Sequence, residues 1–342
     1  MPTARLRGLT RYTFLDENDQ PTFALDQHGR AIWGGFWSPN LITNAGLDAV
    51  AVERLITYMG SLASQPQQFR EFLRVGVGST APAFTDTSLV SEVASSESGG
   101  GFSGSTTFPD PSGGTIEMHA LITRVATMPT TENLTEYGFS RLVDTNLNIR
   151  ELFRDEFGDP VTISIVAGKK IRVDHTLIVS LPWGAEAHTL SIEEYDASDA
   201  LVTTHSLSVN GVFVAVFASN RVRMFKSALP PQGASGDLKR FALYTTATPS
   251  SEPDVAASNA HEASITDEDY VPGSHTLTQF ATYNEAVGNG PAYGYVLRQV
   301  TLTGQGDGGE YGYRVAFQSP TTFEKEDTHT LRLAVDLSWA RG

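Results

Sequence analysis

The chain contains no cysteine, which removes disulfide frameworks, thiolate metal sites and cysteine nucleophiles together. It has no apolar run of membrane-spanning length, and its N-terminus, MPTARLRGLTRYTF, carries charge without the apolar segment of a signal peptide. A soluble chain without membrane insertion is expected, exported by something other than a standard signal peptide, and cell lysis would suffice. Basic residues are few: Lys and Arg number 24 against 39 Asp and Glu, a net charge of −15. Nucleic-acid binding needs a basic surface that displaces counterions, so no nucleic-acid partner is expected. The groups Arg5, Arg7, Arg11 and Arg221, Arg223, Lys226 read as solvated faces or subunit contacts. Long helical heptads are also missing.

What is present points to β structure. The chain has 342 residues, enough for two domains that each bury a core. Its 31 glycines and abundant Ser and Thr fit many turns and short strands. Residues 1–40 hold two short alternating stretches, Arg11–Leu15 and Pro21–Leu25, split by the turn-rich Asp16–Gln20. These fit a strand pair or an extended N-terminal arm. One helix is expected over 44–59, capped by Thr43 or Asn44, with Leu47, Val50, Ala51, Leu55 and Tyr58 at helical spacing and Gly60 as the stop. Phe72–Gly78 reads as a strand, and 95–114 as an exposed low-complexity loop. A hairpin is expected around Ala167–Lys170, and Leu177, Val179 and Leu181 alternate up to Trp183. A second set of strands follows Trp183. The expected organisation is an arm (1–40), a first β domain (41–186) and a second β domain (187–342).

The two parts echo each other in order. Phe72-Leu73-Arg74-Val75 is answered by Phe241-Ala242-Leu243-Tyr244, and Glu136-Tyr137-Gly138-Phe139 by Glu310-Tyr311-Gly312-Tyr313. The strand ending at Trp183 is answered by the one ending at Trp339. The offsets are 169, 174 and 156, close enough for loop insertions to account for the spread. The second domain therefore reads as a divergent repeat of the first, each a β-sandwich-like unit ending on a buried Trp.

Catalytic patterns do not emerge. None of the eight histidines falls in a metal-ligand spacing. Gly101-Phe102-Ser103-Gly104 misses the nucleophile-elbow spacing, and Gly76-Val77-Gly78 lacks the third glycine and helix of a dinucleotide site. Carboxylates cluster at Asp155, Glu156 and Asp159, at Asp267, Glu268 and Asp269, and at Asp307 with Glu310. They read as solvated turns, without the alternating ligands of a calcium loop. The chain is expected to be no enzyme and to carry no cofactor or metal. Trp33, Phe36 and Trp37 are the candidate interaction residues: they could stack on sugars, although burial against the helix or a neighbouring subunit is the favoured expectation.

From Ser38 to about Trp183 the chain resembles a pattern of tailed-bacteriophage virion proteins of the tail, baseplate or tail-fibre region. The matching segments are Pro39–Asp48 (PNLITNAGLD), Val75–Leu89 (VGVGSTAPAFTDTSL), Glu136-Tyr137-Gly138-Phe139, and Leu147–Arg154 with VDHTLIVSLPW as the long final strand. The second half departs from the pattern: Thr245-Thr246 replace the glycines and no helix precedes them. The resemblance implies a mainly β virion domain, usually oligomeric, with a structural or attachment role. The expected function is thus a tail, baseplate or fibre-adaptor subunit that mediates assembly without catalysis, built in the host cytoplasm and carried in the virion. Its partners would be other virion proteins, further copies of itself and a host-surface glycan. A capsid decoration or head-to-tail connecting protein, and a carbohydrate-binding receptor module, are the alternatives. A polysaccharide depolymerase ranks last, for want of a short-period repeat.

Overall fold

The computed structural model describes residues 3–52, 72–96, 103–110, 112–140, 146–182, 184, 186–214, 237–244, 260–285, 289–301, 312–320 and 322–342. The protein is mainly β, with one helix among the described residues. Two compact units form. The first comprises Arg5–Pro109, Glu117–Ser180 and Arg341–Gly342; the second comprises Met1–Ala4, Asp110–Ile116 and Leu181–Ala340.

The first unit is built from β1 (Ala4–Leu15), β2 (Pro21–Thr22), β3 (Ala24–Asp26), β4 (Ala31–Ile32), β5 (Ser38–Ile42), α1 (Asn44–Val52), β6 (Phe72–Gly76) and β7 (Glu92–Ser95). It continues with β8 (Ser103–Thr107), β9 (Thr115–Thr127), β10 (Glu132–Leu134), β11 (Glu136–Ser140), β12 (Leu147–Leu152), β13 (Ile163–Ile165) and β14 (Lys170–Pro182). Neighbouring strands run in the order β8-β9-β14-β1-β5-β12-β11-β6-β7. Strand β5 joins the two halves of this path, pairing Gly8↔Asn40 on one side and Arg150↔Leu41 on the other. A small sheet, β10-β13-β3-β4, lies apart from that path.

The second unit contains β15 (Glu186–Tyr195), β16 (Leu201–Val214), β17 (Asp237–Tyr244), β18 (Ala260–Tyr270), β19 (Thr276–Tyr283), β20 (Gly290–Ala292), β21 (Gly294–Thr301), β22 (Gly312–Ser319), β23 (Phe323–Lys325) and β24 (Thr330–Arg341). Its antiparallel ladder closes on itself: β15-β16-β22-β21-β17-β18-β19-β24 and back to β15. Eight strands thus form a barrel, and closure leaves none of them with an unpaired edge. Within it β21-β17-β18-β19 have the spatial order of a Greek key. The described burial alternates with period two, as in β24 (iBiBiBeBiBii), so one face of each strand fills the interior.

The two units share one strand order, which closes into a ring in the second. β1, β5, β12, β11, β6, β9 and β14 take the places of β15, β16, β22, β21, β17, β19 and β24. The place of β18 is shared by β7, paired with β6, and β8, paired with β9. Even the small pairings match, β10–β13 with β20–β23.

Three expectations need correction. Residues 1–40 are not an arm: β1 is zipped to β14 through eleven consecutive pairs from Arg5↔Ser180 to Leu15↔Lys170, and Leu6, Tyr12 and Phe14 are buried. Hydrophobic alternation at that length demands a sheet partner. The turn at Ala167–Lys170 does not close a hairpin, because β13 pairs with β10 and β3 while β14 pairs with β1. A closed strand ring, rather than two separate sandwich layers, organises the second unit. Helix α1 does start at the expected place, with Thr43 as its cap: the Gly46 N–H donates to Thr43 Oγ1 at 3.0 Å. The expected extension to residue 59, and Trp183, lie outside the described residues.

Candidate interaction surface

The segment Ala31–Trp37 is pinned to the middle of β1. Gly34 and Gly35 have φ of +70° and +98°, and a Cβ on Gly34 would sit 2.3 Å from the Tyr12 carbonyl oxygen. Only glycine permits that approach. The Gly35 N–H donates to the same oxygen at 2.8 Å. The Phe36 ring then meets Tyr12 edge-on at 5.7 Å, and Tyr12 in turn meets Phe14 at 5.6 Å and Phe153 at 5.2 Å. The Tyr12 hydroxyl donates to the Arg154 carbonyl at 2.5 Å. Phe36 is therefore an anchor to buried aromatics.

Its neighbours Trp33 and Trp37 stay 59% and 42% exposed. Of the favoured expectation, burial against the helix or a neighbouring subunit, the first alternative is not met, since the segment packs on β1. The Trp33 ring lies 5.5 Å from Phe23, itself 40% exposed, and Lys169 Nζ stands 5.5 Å from the Phe23 ring centre. The guanidinium of Arg11 lies 4.8 Å from the centre of the Trp37 ring. Arg11 is held by Asp174 at 2.6 Å, a buried carboxylate that also accepts from Thr123 at 2.7 Å and Arg172 at 2.9 Å. Burial alone would raise the Asp174 pKa; these hydrogen bonds outweigh it and hold the pKa below the usual aspartate value. The sequence does not connect Phe23, Arg11 and Lys169 with residues 33–37, because only the β1–β14 and β1–β2 pairings bring them there.

The motif segments converge on a different place. Glu136, fully buried, accepts through Oε1 from the N–H groups of Gly78 (3.0 Å), Val90 (2.9 Å) and Ser91 (3.2 Å). Its Oε2 receives Arg150 Nε at 2.9 Å and Nη2 at 2.8 Å. Arg150, also buried, reaches Asp86 at 2.5 Å and the Thr80 carbonyl at 2.9 Å. A Cβ on Gly78 would fall 2.3 Å from Glu136 Oε1, so the glycine makes room for the carboxylate. This clamp ties the 76–91 segment to β11 and β12, and none of its buried side-chain polar atoms lacks a partner.

An open cleft of about 730 Å³ in the first unit is lined by Leu6–Leu9, Ser38–Ile42, Phe84, Glu151, Arg154, Gly158, Arg341 and Gly342. Its arginines are engaged in holding the fold. Arg154 pairs with Glu151 at 2.9 Å, and Arg341 donates to the Ile42 carbonyl at 2.7 Å and Asn44 at 2.6 Å while lying 3.9 Å from the centre of the Phe84 ring.

In the second unit Glu194 accepts from His205 Nε2 at 2.8 Å and from His329 Nδ1 at 2.6 Å. Burial pushes the Glu194 pKa up, but the two histidine hydrogen bonds outweigh it and leave it below the ordinary value. Of the carboxylate clusters, Asp155 spends Oδ1 on the N–H groups of Phe157 and Asp159 within its own turn, each at 3.0 Å, and Asp269 is exposed on β18. Asp307 and Glu310 lie outside the described residues. Among the described residues no group of three or more His, Asp or Glu is placed to hold a metal ion. His175 is buried with its ring 5.3 Å from Phe139.

Comparison of the chain with protein-family models, with curated proteins and with solved structures finds no match.

Proposed function

We propose that the chain is a structural subunit of a bacteriophage virion, a tail, baseplate or fibre-adaptor component that mediates assembly without making or breaking a bond. One observation carries this reading. The segments on which the phage resemblance rests, Val75–Leu89, Glu136–Phe139 and Leu147–Arg154, meet at the Glu136–Arg150 clamp. What they share is a satisfied, buried scaffold, which suits a building block better than a reaction centre. The acidic chain, with a net charge of −15, would limit non-specific adhesion to packaged DNA and to an anionic envelope.

Mass spectrometry of purified particles of the phage that encodes the chain, followed by reconstruction of the particle, tests the proposal. The chain is expected at stoichiometric copy number in the tail. Location on the capsid or at the head-to-tail junction would convert it to a decoration or connecting protein. A chain missing from particles, with unchanged particle assembly when its gene is deleted, would sink the reading.

A further inference from the structure

Inward-facing positions of a strand are ordinarily apolar, and a fully buried lysine is rare. In the first unit the short pairing β10–β13 follows that rule, with Ile163 and Ile165 buried. Its counterpart in the second unit, β20–β23, does not. Phe323 stands in the place of Ile163 and Lys325 in the place of Ile165, each 160 residues on. Lys325 is 2% exposed. The shared topology therefore does not demand a lysine here, and its charge is expensive to bury.

The amine meets three carbonyl oxygens. Lys325 Nζ lies 3.3 Å from the main-chain oxygen of Glu285, 3.1 Å from that of Glu326 and 2.5 Å from Asn289 Oδ1. The Asn289 carboxamide is held at both ends, because its Nδ2 donates to the same Glu285 oxygen at 2.9 Å. The amine and amide nitrogens thus share one acceptor, and Asn289 Cγ is one bond beyond the 2.5 Å contact. Register keeps the two residues together, since Gly290, next to Asn289, pairs with Lys325. Three acceptors suit an ammonium. Burial opposes it and pulls the Lys325 pKa below its ordinary value, while Asp327, Glu285 and Glu194 act in the other direction. Burial thereby raises the share of neutral amine, which is the nucleophilic form.

We infer that Lys325 and Asn289 are joined by an intramolecular isopeptide bond. Neutral Nζ attacks Asn289 Cγ, the Cγ–Nδ2 bond breaks, and Nδ2 leaves as ammonia. One of the two amine protons stays in the new amide and the other goes to the departing nitrogen, so no oxidant or co-reactant is consumed. Asp327, Glu285 and Glu194, whose charges act on Lys325, are the carboxylates available to carry that proton. The product removes the buried charge and encloses β21 and β22 in a covalent loop, which restricts the unfolded chain as a cross-link does. The bond forms once, within the chain, and neither rests on the assembly role nor adds catalysis to it. A chain missing from phage particles would leave it untouched.

The test is intact-mass spectrometry of the purified full chain, followed by proteolytic digestion and sequencing of the fragments. The chain is expected to be lighter than its sequence by one ammonia, with a branched peptide joining Asn289 and Lys325. Lys325→Arg and Asn289→Ala are expected to have their full sequence masses. An Asn-Gly pair such as Asn289-Gly290 also loses ammonia when it closes a succinimide on its own backbone. A loss that persists in Lys325→Arg, without the branched peptide, would assign it to that ring and overturn the inference. So would a chain of full sequence mass whose two peptides are recovered separately. A covalent link survives unfolding, so the digest of the parent chain decides the question whether or not the variants fold.

Discussion

The two units share a strand order but build different interiors. In the first, Gly138 pairs with Arg150, whose guanidinium reaches Glu136 and Asp86. In the second, the matching glycine is Gly294, and its partner is Ala316. Among the described residues of the second unit the clamp has no counterpart. Conversely, Phe14 pairs with Ile171 in the first unit where Glu194 pairs with Leu331 in the second, and Glu194 is engaged by two histidines. What stays the same is geometric. Asp16 and Asp196 each cap the turn after the first strand through Oδ1, and Asp19 and Asp199 both carry positive φ, 62° and 59°. The turn before the last strand repeats as well, with Lys169 N–H donating to Val166 and His329 N–H to Glu326, each at 3.3 Å. Topology is thus held by turns and close approaches, while the polar contents of each unit have gone separate ways.

The largest effect that would sharpen this contrast comes from Arg150→Met. It strands Glu136 as a buried charge and is expected to cost about 3–5 kcal/mol. The loss is measured by denaturant unfolding, and Glu136→Gln combined with Arg150→Met should recover part of it. A negligible loss would mean that the clamp does not hold the first unit.

Next come Gly138→Ala and Gly294→Ala. The added Cβ would lie 2.7 Å from the Ile149 carbonyl oxygen in one unit and 2.1 Å from that of Val315 in the other. Both should destabilise by about 1–3 kcal/mol, the range for overpacked sites. A penalty in only one would break the equivalence of the two ladders at that point.

A pH series separates the units further. The Glu194 pKa lies below its ordinary 4.5 in the folded protein, so its contribution to stability is present above that value and is lost as pH falls through the lower, folded one. Unfolding midpoints measured across this acid range should decline less steeply in Glu194→Gln than in the parent. The same logic applies to Asp174→Asn in the first unit, where the carboxylate is also held below its usual range. The smallest effect is expected from Asp16→Ala and Asp196→Ala. Each removes a turn cap at an exposed site, with similar small losses by thermal melting.

The sequence suggests a repeat, but the register its motifs imply is not the one the ladders have. Pairing Trp183 with Trp339 gives an offset of 156. The ladders give another, because Leu15 pairs with Lys170 where Tyr195 pairs with Thr330, so the last strands correspond at an offset of 160 and Val179 is the equivalent of Trp339. The two readings differ by an even number. An alternating strand looks the same after any even shift, so hydrophobic pattern cannot choose between them. The EYG match misled in a related way. Glu136-Tyr137-Gly138-Phe139 lies on β11, whose counterpart is β21 with Tyr293-Gly294-Tyr295 before and within it; Gly312 opens β22 instead. Strand order, which no local motif encodes, decides that question. For the candidate site, Trp33, Phe36 and Trp37 could be singled out because large aromatics flank two glycines. That Phe36 turns inward and the tryptophans outward depends on contact with Tyr12, which lies some twenty residues earlier in the chain.

By itself the sequence determined the β class, the start of the helix at Thr43, and the turns at Asp16 and Gly168. These rest on local chemistry: period-two alternation, side-chain capping and the conformational freedom of glycine. Only the tertiary structure decided the closed ring, the register of the repeat, the burial of β1, the Glu136–Arg150 clamp and the company of Trp33 and Trp37. Each of those joins residues far apart in the chain. Such contacts form only when the strand order has brought their backbones side by side, and pairing between distant strands leaves no signature in either strand alone.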